Sequence, residues 1–141
     1  MRPTDNPRWM TVTGHVLSLI VILFLLMDAG IKLPPITAVG ETMRQMGWPA
    51  DAGTARTLAA LTLIGTLLYA WPRTALLGAI FLTAYLGGAV ASHVRIGSPL
   101  FSHVLFGVYL GLLLWGGLWF RMPALRALTP ITTRQDAKGE G

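Results

Sequence analysis

The sequence predicts an all-α integral membrane protein, an antiparallel bundle of four transmembrane helices with a short amphipathic interfacial helix between helices one and two. Three observations predict this fold. The 141-residue chain is 53% hydrophobic and only 12% charged, whereas soluble domains carry about 25% charged residues. Its apolar residues form four runs, three of which reach the ~20 residues that span a bilayer. Two of the three connections are so short that the helices they join must be antiparallel neighbours.

The four apolar runs predict spans at about 9–31, 55–71, 74–94 and 100–120. The first is expected to be a retained helix, because its apolar core is long and no A-x-A cleavage site follows it. The second lies near the lower length limit for a span. The domain organisation is therefore a cytoplasmic N-terminus at 1–8, one transmembrane domain at 9–128 and a polar tail at 129–141.

The connections differ in length and character. A proline interrupts each of the two short ones, Trp71-Pro72-Arg73 and Arg95-Ile96-Gly97-Ser98-Pro99, and the residue before a proline disfavours helix. The long link at 30–54 carries apolar residues at three- and four-residue spacing between polar ones, which predicts an amphipathic helix. It should start near Thr37 and stop at Gly47-Trp48-Pro49. We expect it to lie in the membrane interface or over the end of the bundle.

Small residues predict where helices pack closely. Gly107 and Gly111 form a G-x-x-x-G motif in the fourth run, and Ala84, Gly88 and Ser92 form a stripe in the third. Such stripes let helix backbones approach each other in a membrane. Both features therefore predict close helix packing within the bundle, and Gly111→Leu is predicted to destabilise it.

The basic residues predict orientation rather than nucleic-acid binding. The net charge is +5, but the basic residues flank apolar runs instead of forming one basic face. Seven share the predicted side of the termini and four lie on the other, which places both termini in the cytoplasm. The seven are Arg2, Arg8, Arg73, Arg121, Arg126, Arg134 and Lys138, and the four are Lys32, Arg44, Arg56 and Arg95.

Five polar residues from three runs are expected to meet at the non-cytoplasmic end. Asp28 and Lys32 have the i, i+4 spacing of a helical ion pair, and His93, Arg95 and His103 flank the turn between the third and fourth runs. Ionisable groups near a membrane span are costly and mark candidate sites. We predict that His103 and Arg95 face a polar pocket, with the other three on its rim. A purely structural interpretation also stays open for each residue. Asp28 and Lys32 can pair at a helix end, Arg95 can extend to the membrane interface, and the two histidines can fix the turn.

Metal and haem chemistry is poorly supported by the residue pattern. There is no cysteine, which excludes thiolate metal sites, iron–sulfur clusters and disulfides. No Glu-x-x-His pair appears, so a di-iron bundle is unsupported. Asp28, His93 and His103 have metal-ligand chemistry without diagnostic spacing. The two histidines lie at a bundle end rather than mid-membrane, so we expect no haem ligation.

Several segments resemble the DoxX-like family of small bacterial four-helix membrane proteins. They are LLMDAGIKL, GWPA, YAWPRTALLGAIFLTAYLGGAVASHVRIGSPLFSHVLF and LLLWGGLWFR, and the resemblance extends over about 17–128. It implies a bacterial inner-membrane location. The family's namesake is similar to a membrane subunit of an archaeal thiosulfate:quinone oxidoreductase, which implies a quinone-side role by analogy. The positions that fall on the family pattern are Asp28, Lys32, Pro49, Pro72, Arg73, His93, Arg95 and His103.

Three functions remain open at the level of sequence. The first is an accessory or redox-associated subunit that binds a quinone-like or other amphipathic molecule, with no enzymatic activity of its own. The second is a non-enzymatic assembly subunit of a larger membrane complex or homo-oligomer. The third is a transporter for a small hydrophobic solute, which is disfavoured because no inverted repeat is evident. All three involve the lipid bilayer as a partner and none involves nucleic acid.

Overall fold

The computed structural model describes residues 6–34 and 37–128, and this part of the chain is helical without any strand. Residues 1–5 of the predicted N-terminal segment and the predicted tail at 129–141 lie outside the described residues. The helices are α1 (Arg8–Lys32), α2 (Thr37–Gln45), α3 (Ala52–Ala70), α4 (Ala75–Arg95), α5 (Leu105–Arg121) and α6 (Pro123–Leu128). A π-helical turn at Leu100–Val104 leads directly into α5.

Three of the described helices are long and apolar enough to cross a membrane. They are α1, α4 and the continuous helix Leu100–Arg121. The second predicted span corresponds to α3, which does not belong to this group because Arg56 and four threonines dilute its apolar residues over only 19 positions. The all-helical prediction is confirmed, and the structure adds that α3 is the most polar of the four long helices.

The long helices pack around one apolar core. Helix α1 packs against α3 and α5, and α4 packs against the same two helices. The core between them includes Leu25, Leu82, Leu114 and Leu118, each 2% exposed or less. The opposite faces of the helices carry exposed large apolar side chains, with Leu112 67% exposed. Side chains of this kind facing outward are expected where the surrounding solvent is lipid.

Glycines mark the closest helix crossings, but not at all of the predicted positions. A Cβ added at Gly117 of α5 would lie 2.5 Å from Ser18 Oγ of α1, and one at Gly107 would lie 2.8 Å from Val90 Cγ2 of α4. Gly111 differs, because a Cβ there would meet nothing within 4 Å. The prediction that Gly111 packs against a neighbouring helix is therefore wrong, and Gly107 is the half of the motif that makes a close approach.

The link between α1 and α3 contains the expected short amphipathic helix. Helix α2 buries Met43, and the chain leaves it through Gly47, whose φ of +70° is a left-handed conformation that glycine adopts without strain. Asp51 then caps α3 by accepting a 2.9 Å hydrogen bond from the Thr54 amide. Hydrogen bonds from the Thr54 hydroxyl and amide lower the pKa of the exposed Asp51 carboxyl from its ordinary value.

Candidate functional site

A cavity of about 570 Å³ opens at the end of the molecule where α1 ends and α5 begins. Helices α1 to α5 all contribute to its lining. Its walls are mainly apolar, with Phe24, Met43 and Phe106 among them. The rings of Phe24 and Phe106 have centroids 5.1 Å apart, which joins α1 to α5 on one wall. The volume lies within the ~300–1,000 Å³ typical of small-molecule sites.

The small-residue stripe of α4 forms one wall of this cavity. Ala84, Gly88 and Ser92 all line it. A Cβ added at Gly88 would meet no atom within 4 Å, so no helix packs against the stripe at that point. The prediction that this stripe serves close helix packing is wrong for Gly88. Its small side chains leave open the space that the cavity occupies.

Helix α2 covers another wall of the cavity. Val39, Met43 and Met46 of this segment contribute apolar lining, together with the following Trp48. Val39 and Met43 are four residues apart and so share one face of α2, and Met46 follows directly after the helix. The amphipathic pattern of the link thus corresponds to a helix whose apolar face is directed at the cavity.

An ion pair and a tyrosine form the first polar group in the lining. Lys32 Nζ donates a 2.5 Å hydrogen bond to Asp28 Oδ2 and a 3.2 Å hydrogen bond to the Tyr85 hydroxyl oxygen. The Lys32 and Asp28 side chains are 22% and 30% exposed. The group therefore joins the end of α1 to α4 and presents polar atoms to a largely apolar space.

Two histidines form the second polar group. The imidazole rings of His93 and His103 lie edge to face with centroids 5.5 Å apart, and both residues line the cavity. His93 Nδ1 is 3.0 Å from Ser98 Oγ, and His103 Nδ1 is 2.7 Å from Ser102 Oγ. Each serine fixes one ring through Nδ1. Within the described part of the chain, Nε2 of neither ring has a hydrogen-bond partner.

The π-helical turn contributes to the placement of His103. The amides of His103 and Val104 both donate to the Pro99 carbonyl, at 3.1 and 3.3 Å, so this turn is wider than an α-helical one. A π-helical turn shifts the following residues relative to an α-helix, and such turns are frequent at functional sites. His103 and Gly107 therefore do not have the relative orientation that an i, i+4 spacing gives in an unbroken α-helix.

Arg95 lies apart from the other four predicted site residues. It does not line the cavity of about 570 Å³, and its guanidinium donates to the main-chain carbonyl of Met46. A Cβ at Gly47 would lie 2.9 Å from this guanidinium. Arg95 therefore ties the end of α4 to the link between α2 and α3. The structure brings Asp28, Lys32, His93 and His103 together around one cavity, and Arg95 lies outside its lining, beside the segment that follows α2.

Tyr85, which lines the cavity, and the two serines that contact its histidines were not identified from the sequence. Tyr85 lies eight residues before His93, so the two residues fall on the same broad side of α4. That spacing was the available signal. Ser98 and Ser102 had no such signal, because their contacts with the histidines depend on the conformation of the turn. No group of three or more His, Asp or Glu side chains suited to a metal ion occurs among the described residues.

These features define a class of protein: a helical membrane protein with a polar group at one end of an apolar cavity. The profile of the DoxX-like family matches residues 16–117. The chain therefore belongs to the DoxX-like family. The matched segment contains all five predicted site residues and both serines that contact the histidines. No curated protein and no solved structure matches the chain.

Proposed function

We propose that this protein binds an amphipathic small molecule with a quinone-like head in the cavity, as an accessory or redox-associated subunit of the bacterial inner membrane. The observation that carries the proposal is an apolar cavity of about 570 Å³ with two polar groups in its lining. Apolar walls suit a hydrocarbon tail, and a few placed donors suit a polar head. The family's analogy with quinone chemistry motivates the quinone-like head.

The proposal includes a bundle of four antiparallel spans, with α3 as the fourth. At about 1.5 Å per residue, the 19 residues of α3 extend about 28 Å, close to the ~30 Å of the hydrocarbon core. Thr62 and Thr66 donate their hydroxyl protons to the carbonyls of Leu58 and Thr62. Because these hydroxyls are satisfied within the helix, they add little cost to burial in a membrane.

The contacts of α3 support the same topology. Its first half reaches the cavity through Ala55 and Leu58, on the side where α1 ends. Its last turn places Tyr69 against Ser18 and Leu114, one in the first half of α1 and the other in the second half of α5. A helix with these two ends runs alongside α1 in the opposite direction. Four spans would put both termini on one side, which the excess of basic residues assigns to the cytoplasm.

An assembly subunit is the competing function, and ligand content distinguishes the two. The purified protein should be extracted from membranes with a mild detergent, and its bound lipids and quinones should be identified by mass spectrometry. Gly88→Leu should displace the ligand, because the new side chain enters the cavity without meeting a helix. Gly87→Leu is the matched control, since Gly87 also has open space around it and does not line the cavity.

Two results would count against the proposed function. One is wild-type protein that carries no molecule beyond bulk lipid, and the other is an equal ligand content in the two leucine variants. Either result would favour the assembly subunit, which needs no occupied cavity. Loss of ligand in Gly88→Leu alone, with the fold retained, would support the cavity as the binding site.

A further inference from the structure

The charges around the cavity suggest which amphiphile it selects. Of the described residues that line it, only Asp28 and Lys32 carry a permanent charge at neutral pH. Lys32 Nζ and Asp28 Oδ2 are 2.5 Å apart, so the two charges cancel locally. Arg95, the nearest further basic group along α4, is directed to the Met46 carbonyl instead. The lining therefore has no net charge when the two imidazoles are neutral.

Four polar side chains in the lining can donate hydrogen bonds, namely those of Lys32, Tyr85, His93 and His103. Lys32 carries ammonium protons, and the Tyr85 hydroxyl accepts from Lys32, which leaves its own proton for an acceptor in the cavity. The imidazoles are fixed by serines through Nδ1, and each neutral ring can then carry its proton on Nε2. These donors match oxygen acceptors such as the carbonyl of a ketone or quinone.

We infer that Asp28 sets the charge selectivity of this site: by neutralising Lys32 it makes the cavity accept an uncharged amphiphile with a hydrogen-bond-accepting head and reject fatty-acid-like anions. The inference rests on the proposed function and adds to it a class of ligand and a residue that determines specificity. Without Asp28, the same cavity would present an unpaired ammonium beside apolar walls, which is the arrangement that a long-chain carboxylate requires.

The experiment compares two probes of equal chain length, dodecan-2-one and dodecanoate. The full-length protein is placed in phosphatidylcholine nanodiscs at pH 8, where a free imidazole is uncharged. Equimolar probes are added, and native mass spectrometry gives the ratio of bound ketone to bound carboxylate. A ratio within one sample cancels differences in how much protein is active. Wild-type protein is expected to favour the ketone.

Asp28→Asn should shift the ratio toward dodecanoate by about tenfold, as expected for one unpaired charge in a partly shielded setting. Glu41→Gln is the matched control. It removes the same charge from an exposed position on α2 that does not line the cavity, so its ratio should equal that of the wild type. The double variant Asp28→Asn/Lys32→Gln is neutral again and should return to the wild-type preference.

Removing the positive charge instead of the negative one tests the same inference with a cationic probe. Lys32→Gln leaves the Asp28 carboxylate unpaired, so dodecylammonium should gain about tenfold over dodecan-2-one. A wild type that binds ketone and dodecanoate equally would overturn the inference about Asp28, and so would a folded Asp28→Asn protein with an unchanged ratio. Either result would leave the proposed function standing. A wild type that binds none of the three probes would overturn the proposed function itself.

Discussion

At the scale of single residues, the Tyr69 side chain of α3 contacts both α1 and α5. It is fully buried. Its hydroxyl donates a 2.8 Å hydrogen bond to the Leu114 carbonyl and lies 3.0 Å from Ser18 Oγ. The Arg121 guanidinium lies 5.0 Å from the centre of its ring and donates to its main-chain carbonyl at 3.2 Å. One phenol at the end of α3 thus holds α1 and α5 together.

Tyr69→Phe should therefore lower the free energy of unfolding by about 1 to 2 kcal/mol, because it removes a buried donor and leaves Ser18 without that partner. Thermal unfolding in detergent measures the effect. Tyr109→Phe is the control, since Tyr109 is 45% exposed and should change stability by less than about 0.5 kcal/mol. Equal melting temperatures for the two variants would contradict a structural role for the Tyr69 hydroxyl.

Residues were predictable where local spacing alone decides their partner. The i, i+4 spacing of Asp28 and Lys32 predicts the ion pair that the structure contains. The short turn between the third and fourth runs likewise predicts that His93 and His103 lie at the same end of the bundle, and the structure brings their rings into edge-to-face contact. Arg95 was not predictable, because its long side chain could reach either the cavity or the Met46 carbonyl. The choice depends on where α2 lies, and a long link does not reveal that.

At the scale of helices, the glycines show which faces meet. Gly117 lies where α5 crosses α1, and a Cβ there would be 2.5 Å from Ser18 Oγ and 2.9 Å from the Tyr69 hydroxyl. Gly111 lies in the same helix with open space around it. The G-x-x-x-G pattern identified the helix but not the crossing point, because helix rotation is set by all packed side chains together.

Gly117→Ala is expected to destabilise the protein by about 1 to 3 kcal/mol, because the added methyl group would overpack the crossing of α1 and α5. Gly111→Ala should be neutral, or stabilising by up to about 1 kcal/mol through its greater helix propensity. Thermal unfolding of both variants in the same detergent tests the comparison. A larger loss in Gly111→Ala than in Gly117→Ala would show that the crossing lies elsewhere on α5.

The helices themselves were largely predictable, since apolar runs bounded by proline and glycine fix their approximate positions. The short α2 followed from its spacing of apolar residues, and it starts at Thr37 as expected. The π-helical turn at Leu100–Val104 could not be predicted. In this turn the Pro99 carbonyl accepts from the amides of both His103 and Val104, and no local residue preference specifies that pattern.

At the scale of the whole molecule, the decisive question is whether α3 crosses the membrane. Three other helices are long and apolar enough to do so, and α3 connects the far end of α1 to the start of α4. If α3 crosses, the link before α3 and the turn after it lie on opposite sides of the membrane. If α3 does not cross, both lie on the same side.

The absence of cysteine from the chain allows this to be measured with single introduced thiols. Gln45→Cys places a thiol before α3, Arg73→Cys places one after it, and Ile96→Cys places one after α4; all three positions are exposed. A membrane-impermeant maleimide added to intact spheroplasts should label positions 45 and 96 but not 73. Position 73 should become reactive only after permeabilisation, which also controls for a buried or unreactive thiol.

Labelling of positions 45 and 73 from the same side would exclude α3 as a span. Labelling of position 73 alone in intact spheroplasts would retain four spans and reverse the orientation inferred from the basic residues.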